Sequence, residues 1–143
     1  MEIPLAECRR LLAGAVFGRV ALVVEPGRAE ILPVNYVVSD DAVWLRTGPG
    51  TLLERYADGG DLALEVDHVD PTWGTGWSVV ARGCAERRTE GPLTSAGRPA
   101  PGPPRWVRHP EQVWIRLAWT ELTGRRLGAA PAASSSAVLR VRA

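Results

Sequence analysis

Lysine is absent from this sequence, because all 17 basic residues are arginine. That absence excludes Schiff-base chemistry on a lysine, and a P-loop lysine, within this chain. Cysteine is scarce, and the two residues present, Cys8 and Cys84, form no CxxC pair. No apolar run approaches the roughly 20 residues of a membrane span, and the first residues show no signal-peptide pattern. These absences predict a cytoplasmic protein with reduced thiols and no membrane segment.

The charge balance also excludes some classes of partner. The formal net charge is +1 over 143 residues, which argues against non-specific binding to nucleic acid. The two histidines, His68 and His109, lie in no cluster of acids or cysteines with metal-ligand spacing, so the sequence predicts no metal site. A hydrophobic content of 45% is sufficient for one packed domain.

The residue pattern predicts a mainly β protein with short helices. Helical spacing of apolar residues indicates one helix over about residues 5–14, and "TLLERYA" indicates a second over 51–57. Runs rich in β-branched residues predict three strands within 18–48, separated by the turn signals at 25–28 and 39–41, and further strands at 61–70, 77–89 and 111–127. Six antiparallel strands joined by short turns favour a barrel. Pro33 lies inside the second strand, which therefore has an open edge or a bulge there.

Composition divides the chain into one domain and a tail. Residues 1–127 carry the strand and helix patterns, and residues 128–143 form a low-complexity C-terminal tail. The segment "GPLTSAGRPAPGPP", residues 91–104, is rich in proline and glycine and predicts a flexible surface loop within the domain.

One stretch, "LRTGPGTLLERY" at residues 45–56, has two interpretations. Backbone N–H groups at a helix start attract an anion, and Arg46, Thr47 and Thr51 would add donors, which favours a phosphate site. Thr51 followed by Glu54 is also the spacing of a capping box, which needs no ligand. Both interpretations stay open on local sequence.

Among the six tryptophans, Trp77 is a further candidate. It begins a strand directly after two glycines, where its ring could pack against a flat ligand ring, whereas core packing accounts for most of the others. Ser78 and Cys84 lack the sequence context of a catalytic nucleophile.

The order of these segments resembles that of a known family. The segments "ILPVNYVV", "VWLRTGPGTLL", "GWSVVARGCAE" and "TGRRL" follow one another as in the pyridoxamine 5′-phosphate oxidase-like family of flavin-binding split barrels, most closely its small actinobacterial-type members. The resemblance covers about residues 5–127 outside the 91–104 loop. It implies a six-stranded antiparallel split β-barrel that forms a homodimer and binds FMN at the subunit interface.

The resemblance also implies where the cofactor binds. The strand with "PVNY" lies beside the flavin ring, "RTGPGT" is the phosphate-binding stretch, and the start of the fifth strand lies near the flavin of the same or the partner subunit. The cofactor-binding residues implied are Val34, Asn35, Tyr36, Arg46, Thr47, Gly50, Thr51, Leu52, Trp77 and Ser78.

The family resemblance leaves the ligand and the activity open. Relatives commonly place lysine where this chain has Leu52. Arg46 or Arg55 compensates for the lost charge, or FMN binds weakly, or the cofactor is F420 or haem, or the barrel binds no cofactor. The implied function is an oxidoreductase that transfers hydride at the flavin ring to or from an unidentified small molecule, with no catalytic side chain assigned. The alternative is a non-catalytic flavin carrier or sensor. Arg125 or Arg126 could meet an anionic substrate, or form a solvated strand end.

Overall fold

The computed structural model describes residues 1–105 and 110–128 of this chain. The elements, in chain order, are α1 (Leu5–Gly14), β1 (Phe17–Glu25), β2 (Arg28–Ser39), β3 (Ala42–Thr47), α2 (Leu52–Ala57), β4 (Asp61–Asp70), β5 (Thr75–Arg88), β6 (Val113–Ala118) and β7 (Glu121–Leu127). The predicted tail beyond residue 128 lies outside the described residues.

The strands form a closed antiparallel ring. Hydrogen-bonded neighbours follow the order β4, β1, β2, β3, β6 and β5, and β5 pairs with β4 to complete the circle. Strand β7 adds to the first half of β5. This ring confirms the mainly β split-barrel fold and its antiparallel strands.

The segment predicted as the last strand forms two strands, β6 and β7, which pair with the same edge of β5. β6 pairs with residues 85–88 and β7 with residues 76–82, and the register between them shifts by one residue. Trp119 and Thr120 form the irregular step, where the Thr120 amide donates to the Arg82 carbonyl at 2.9 Å. A bulge of this kind adds a residue and bends the strand, which closes a small barrel. Strand patterning alone gives no signal of such a step.

Alternating side chains fill the barrel. The even positions of β1, from Gly18 to Leu22, are buried and the odd positions are exposed. In β5 the inward series is Trp77, Val79 and Ala81, as the alternation predicted. Helix α1 contributes Cys8, Leu11 and Leu12 to the same core, so the amphipathic helix predicted from the sequence is confirmed.

Strand β2 changes partner halfway along. Residues 28–35 pair with β1, and residues 36–39 pair with β3. Along residues 28–35, no strand of the described chain covers the other edge of β2. Pro33 lies in this half, opposite Arg19, which confirms the predicted edge position. The open edge leaves room for a ligand beside the strand.

The loop of residues 91–105 packs on the outside of β3 and β6. Leu93 pairs with Pro99 in an isolated bridge, and the Ala100 amide donates to the Pro92 carbonyl at 2.8 Å. Pro92 is fully buried. A Cβ atom at Gly91 or Gly102 would come within 2.6 Å of the Trp114 ring. The loop therefore has its own backbone hydrogen bonds and packs closely against the Trp114 ring.

The N-terminus and the helices complete the domain. Ile3 donates its amide to the Gly124 carbonyl, and the Arg126 amide donates to the Met1 carbonyl, so residues 1–3 lie along β7. Neither helix of the described chain is long and apolar enough to cross a bilayer.

Candidate functional site

A cavity of about 530 Å³ lies along the open edge of β2. We call it the edge cavity. It is bordered by β2, by the turn between β3 and α2, and by the end of the 91–105 loop. Its lining residues are Leu32, Pro33, Val34, Asn35, Arg46, Thr47, Gly48, Thr51, Leu52, Leu53, Pro103, Pro104, Arg105 and Gln112.

Six of the ten predicted cofactor residues line this cavity. They come from two segments 11 residues apart in the chain, which the β2–β3 pairing brings together: Val34, Asn35, Arg46, Thr47, Thr51 and Leu52. Gly50 lies in the same turn with φ +77°, a conformation that glycine adopts without strain. The structure thus brings the predicted strand segment and turn together at one cavity, and their contact with a cofactor stays a prediction.

The turn before α2 is held by its own hydrogen bonds. The Thr51 hydroxyl accepts from the Glu54 amide at 3.3 Å and lies 2.7 Å from the Thr47 hydroxyl. The Glu54 carboxylate accepts from the Gly50 amide and also pairs with Arg87 at 3.2 Å. The Thr51 hydroxyl thus forms its half of the capping box, whereas the Glu54 carboxylate accepts from the Gly50 amide and not from the amide of the N-cap residue Thr51. Because Glu54 already accepts from the Gly50 amide, this N–H group is not available to an anion, for which side-chain donors are a further source.

Two arginines supply such donors. Arg46 from β3 and Arg105 from the 91–105 loop both line the edge cavity, and neither forms an ion pair with a carboxylate in the described chain. The guanidinium of Arg46 lies 5.0 Å from the centre of the Trp114 ring, a cation–π contact. Burial lowers the pKa of Arg46, and the neighbouring positive charge of Arg105 lowers it further.

The amide of Gln112 lies between these two guanidinium groups. In one orientation its oxygen accepts from Arg46 at 3.5 Å, and after rotation of the amide it accepts from Arg105 at 2.6 to 3.1 Å. Either orientation satisfies one guanidinium and leaves donors of the other available. The cavity wall therefore carries two positive charges, and Gln112 offers them a neutral acceptor rather than a carboxylate.

The loop also contacts the cavity residues through its backbone. Arg46 donates to the Pro103 carbonyl, and the Asn35 side-chain amide donates to the Pro104 carbonyl at 3.0 Å. The other end of the Asn35 amide, its Oδ1 atom, is buried without a hydrogen-bond partner. A buried acceptor with no donor costs stability unless a ligand or water satisfies it.

Three predicted cofactor residues lie elsewhere. Tyr36 is fully buried, and its hydroxyl donates to the Leu12 carbonyl of α1. Trp77 is 7% exposed within the core, and its ring stacks on His68 with the ring centres 6.4 Å apart. Ser78 faces the opposite side of β5. Their contact with a cofactor, directly or from a partner subunit, stays a prediction.

Ser78 lines a second cavity of about 520 Å³ on the outer face of β5 and β7. Arg125 lines it too, whereas Arg126 forms an ion pair with Glu7. Arg82 in this cavity pairs with Glu121 at 3.3 Å. Within residues 1–105 and 110–128, no three histidine, cysteine or acidic side chains are grouped to hold a metal ion.

Sequence reasoning did not single out Arg105, Gln112, Pro103 or Pro104. All four belong to the segment after β5 that was interpreted as a flexible loop and a strand start. Their approach to the cavity depends on Gly91 and Gly102 packing against Trp114, a tertiary contact between distant segments. The one local signal is an arginine directly after two prolines.

The molecule is a small closed barrel with a cavity along a half-open strand, and two arginines line that cavity. These features define a split-barrel protein of the cofactor-binding type. Residues 4–126 match the family model described as pyridoxamine 5′-phosphate oxidase. The chain belongs to this family, which confirms the resemblance found in the sequence.

Similar structures support the same assignment. The FAD-binding protein from Mycobacterium smegmatis is 30% identical with a TM-score of 0.70, covering 89% of this chain and 98% of that one. A protein from Corynebacterium glutamicum assigned as a pyridoxamine 5′-phosphate oxidase is 25% identical with a TM-score of 0.71, covering 90% and 98%.

Among curated proteins, the uncharacterized protein Rv0080 of Mycobacterium tuberculosis is 38% identical over 90 residues. The match covers 59% of this chain and 59% of Rv0080, so the chain spans about three fifths of the length of that relative.

Proposed function

We propose that this protein binds a flavin in the edge cavity and uses it in an oxidation or reduction of a small molecule. Membership of the pyridoxamine 5′-phosphate oxidase family supports a flavin ligand. The similarity to the FAD-binding protein of Mycobacterium smegmatis supports it further. The observation that carries the proposal is one cavity that combines an apolar strand edge, an unsatisfied amide oxygen and two arginines without carboxylate partners in the described chain.

Each part of this cavity suits a part of a flavin. Leu32, Val34 and Leu53 offer apolar surface to a flat aromatic ring. The buried Oδ1 of Asn35 can accept a hydrogen bond from a ring N–H group. Arg46 and Arg105 can donate to an anionic phosphate, which guanidinium groups bind through paired hydrogen bonds.

When bound, a flavin supplies the electron-transfer chemistry, and the protein supplies position and hydrogen bonds. The described lining of the edge cavity has arginine as its only titratable side chain, which suits that division of roles. Val34 and the exposed backbone of β2 would fix the ring, while the turn at Thr47 and Thr51 would fix its polar tail. Bound flavin would also satisfy Asn35.

We propose FMN as the flavin, because the arginines and the threonine hydroxyls can surround a terminal phosphate. FAD, carried by the relative from Mycobacterium smegmatis, is the principal alternative, and F420 or haem would suit the same fold with different contacts. We further propose that two copies of the chain form a homodimer with the cofactor at their interface. Exposed apolar side chains on β1 and β2, next to the cavity residue Pro33, support this arrangement.

The first test is the absorption spectrum of the purified protein, with mass spectrometry of any compound released on denaturation. Titrations with FMN, FAD, F420 and haem would follow. We expect an oxidised-flavin spectrum and release or tight binding of FMN. If none of these flavins binds, the proposed function is overturned.

A second candidate function is a flavin carrier or sensor without turnover. It is favoured by the lack of acid or base side chains among the described residues that line the cavity. Stopped-flow measurement of flavin reduction by NADH, NADPH or reduced F420 separates the two functions. An enzyme would accelerate reduction over free flavin, and a carrier would not.

A further inference from the structure

The edge cavity receives a second positive charge from outside the turn between β3 and α2. Leu52, which belongs to that turn, lines the cavity as an apolar, partly exposed residue. Arg105 reaches the same cavity from a different part of the chain, the 91–105 loop. The two positions therefore face one space although they are 53 residues apart in sequence.

We infer that Arg105 is a second anion-binding residue of the edge cavity and supplies from the loop a cation that the turn lacks at Leu52, so that the cavity selects a ligand with a terminal phosphate. This inference rests on the proposed flavin function and identifies the ligand chemistry as a phosphate monoester. Arg46 is the first cation, supplied by the turn, and Arg105 is the second, supplied by the loop.

The hydrogen bonds around Arg105 support this role. The single amide oxygen of Gln112 accepts from Arg46 in one orientation and from Arg105 in the other, so it satisfies only one of the two neighbouring like charges at a time. Most other arginines in the described chain form ion pairs with carboxylates, including Arg82, Arg87 and Arg116. Two like charges held together without a carboxylate repel each other, and a dianion between them removes that repulsion.

The loop that carries Arg105 is fixed in place. Gly102 packs on Trp114 and against the Arg46 guanidinium, where a Cβ atom would lie 3.2 Å from its central carbon. Pro103 and Pro104 then accept hydrogen bonds from Arg46 and Asn35. These contacts place the backbone of residue 105 beside the cavity. The position of Arg105 therefore depends on the packing of the loop.

The experiment compares FMN with riboflavin, which has the same ring and no phosphate. We expect Arg105→Gln to weaken FMN binding about tenfold or more, the value of a charge-assisted hydrogen bond, and to change riboflavin binding less than about twofold. The matched control is Arg98→Gln, on the same loop but outside the cavity lining, which should change neither affinity. Unchanged FMN affinity in Arg105→Gln, or equal losses for both ligands, would overturn the inference.

A rescue variant tests the replacement directly. Adding Leu52→Lys to Arg105→Gln places a cation on the turn that lines the same cavity, and FMN affinity should recover most of the loss. If FMN affinity does not recover, a cation at position 52 cannot perform the role of Arg105, and the inference is contradicted. Thermal denaturation of each variant without ligand verifies that the fold is retained.

Inorganic phosphate separates failure of this inference from failure of the proposed function. If the wild-type protein binds none of FMN, FAD and riboflavin, the flavin function is wrong, and phosphate binding alone decides the role of Arg105. Phosphate, compared with chloride at equal ionic strength, should then raise the Tm of the wild type and of Arg98→Gln but not of Arg105→Gln. Equal rises in all three, or no rise in the wild type, would contradict the inference.

Discussion

Tyr36 illustrates how one residue can follow a family motif and still have a structural role. Its hydroxyl donates to the Leu12 carbonyl and ties β2 to α1 in the core. The family resemblance implied a contact of Tyr36 with the flavin ring, and that contact stays a prediction. The structural role arises because β2 passes from β1 to β3 at this residue, and its side chain enters the barrel there.

We predict that Tyr36→Phe lowers the free energy of unfolding by about 1–3 kcal/mol, because the buried Leu12 carbonyl loses its donor. Flavin affinity should remain within about twofold of wild type. Urea denaturation and a flavin titration measure the two quantities. A large loss of flavin affinity with unchanged stability would instead place Tyr36 at the ligand.

The same residue predicts a pH dependence. Burial raises the pKa of Tyr36 above its usual range, so the folded protein holds this proton more tightly than the unfolded chain does. The neutral phenol therefore contributes its full stability below about pH 10, the ordinary tyrosine pKa, and this contribution is lost as the pH rises further. The stability difference between wild type and Tyr36→Phe should accordingly shrink in alkaline denaturation experiments.

Among the elements, helix α2 and its turn combine a structural cap with a candidate ligand site. Thr51 caps the helix through Glu54, whereas the Thr47 hydroxyl contacts the Thr51 hydroxyl. The capping box was predictable, because its two residues are three apart and depend on local geometry alone. Whether the hydroxyls also bind phosphate depends on what faces them across the cavity.

We predict that Thr51→Ala and Thr47→Ala separate the two roles. Loss of the cap in Thr51→Ala should cost about 0.5–2 kcal/mol of stability, and Thr51→Ser should retain the cap. Thr47→Ala should leave the stability nearly unchanged and weaken FMN binding more than riboflavin binding. Equal FMN affinity in wild type and Thr47→Ala would exclude this hydroxyl from the phosphate site.

The 91–105 loop shows the limit of prediction at this scale. Proline and glycine correctly indicated that no regular helix or strand forms over residues 91–104. They gave no information on the packing of Gly91 and Gly102 against Trp114, because that contact joins segments that composition treats separately. Arg105 was missed for the same reason, since its position follows from this packing.

For the whole molecule, short strands separated by turns favoured a barrel, and the family resemblance specified a six-stranded split barrel. The inward positions of β1 and β5 repeat every second residue, and the turns between strands carry glycine, proline and aspartate. The division of the last strand at Trp119 was not predictable, because a one-residue bulge depends on closure of the ring rather than on local pattern. Pro33 predicted the open edge or bulge of β2, but not the cavity beside it.

The homodimer that we propose has a candidate surface on β1 and β2. Val23 and Ile31 are 65% and 67% exposed and point outward on the paired strands. Ile31 lies two residues from Pro33, on the same strand face, so this surface adjoins the edge cavity. Exposed apolar side chains grouped in this way mark interaction surfaces.

We predict that Ile31→Lys reduces the dimer fraction and weakens flavin binding with it, because a buried charge would oppose association. Light scattering coupled to size-exclusion chromatography measures the mass, and a flavin titration measures the affinity. Leu93→Lys, at another exposed apolar position, is the control and should leave the mass unchanged. A monomeric wild-type protein would exclude the proposed dimer.

The first three residues of the chain have a consequence for solubility. One edge of β7 pairs with β5, and Met1 and Ile3 hydrogen-bond along the other. An uncovered strand edge can pair with the same edge of another molecule and begin aggregation. The N-terminus therefore shields β7, and a chain trimmed by three residues would present an unprotected strand to its neighbours.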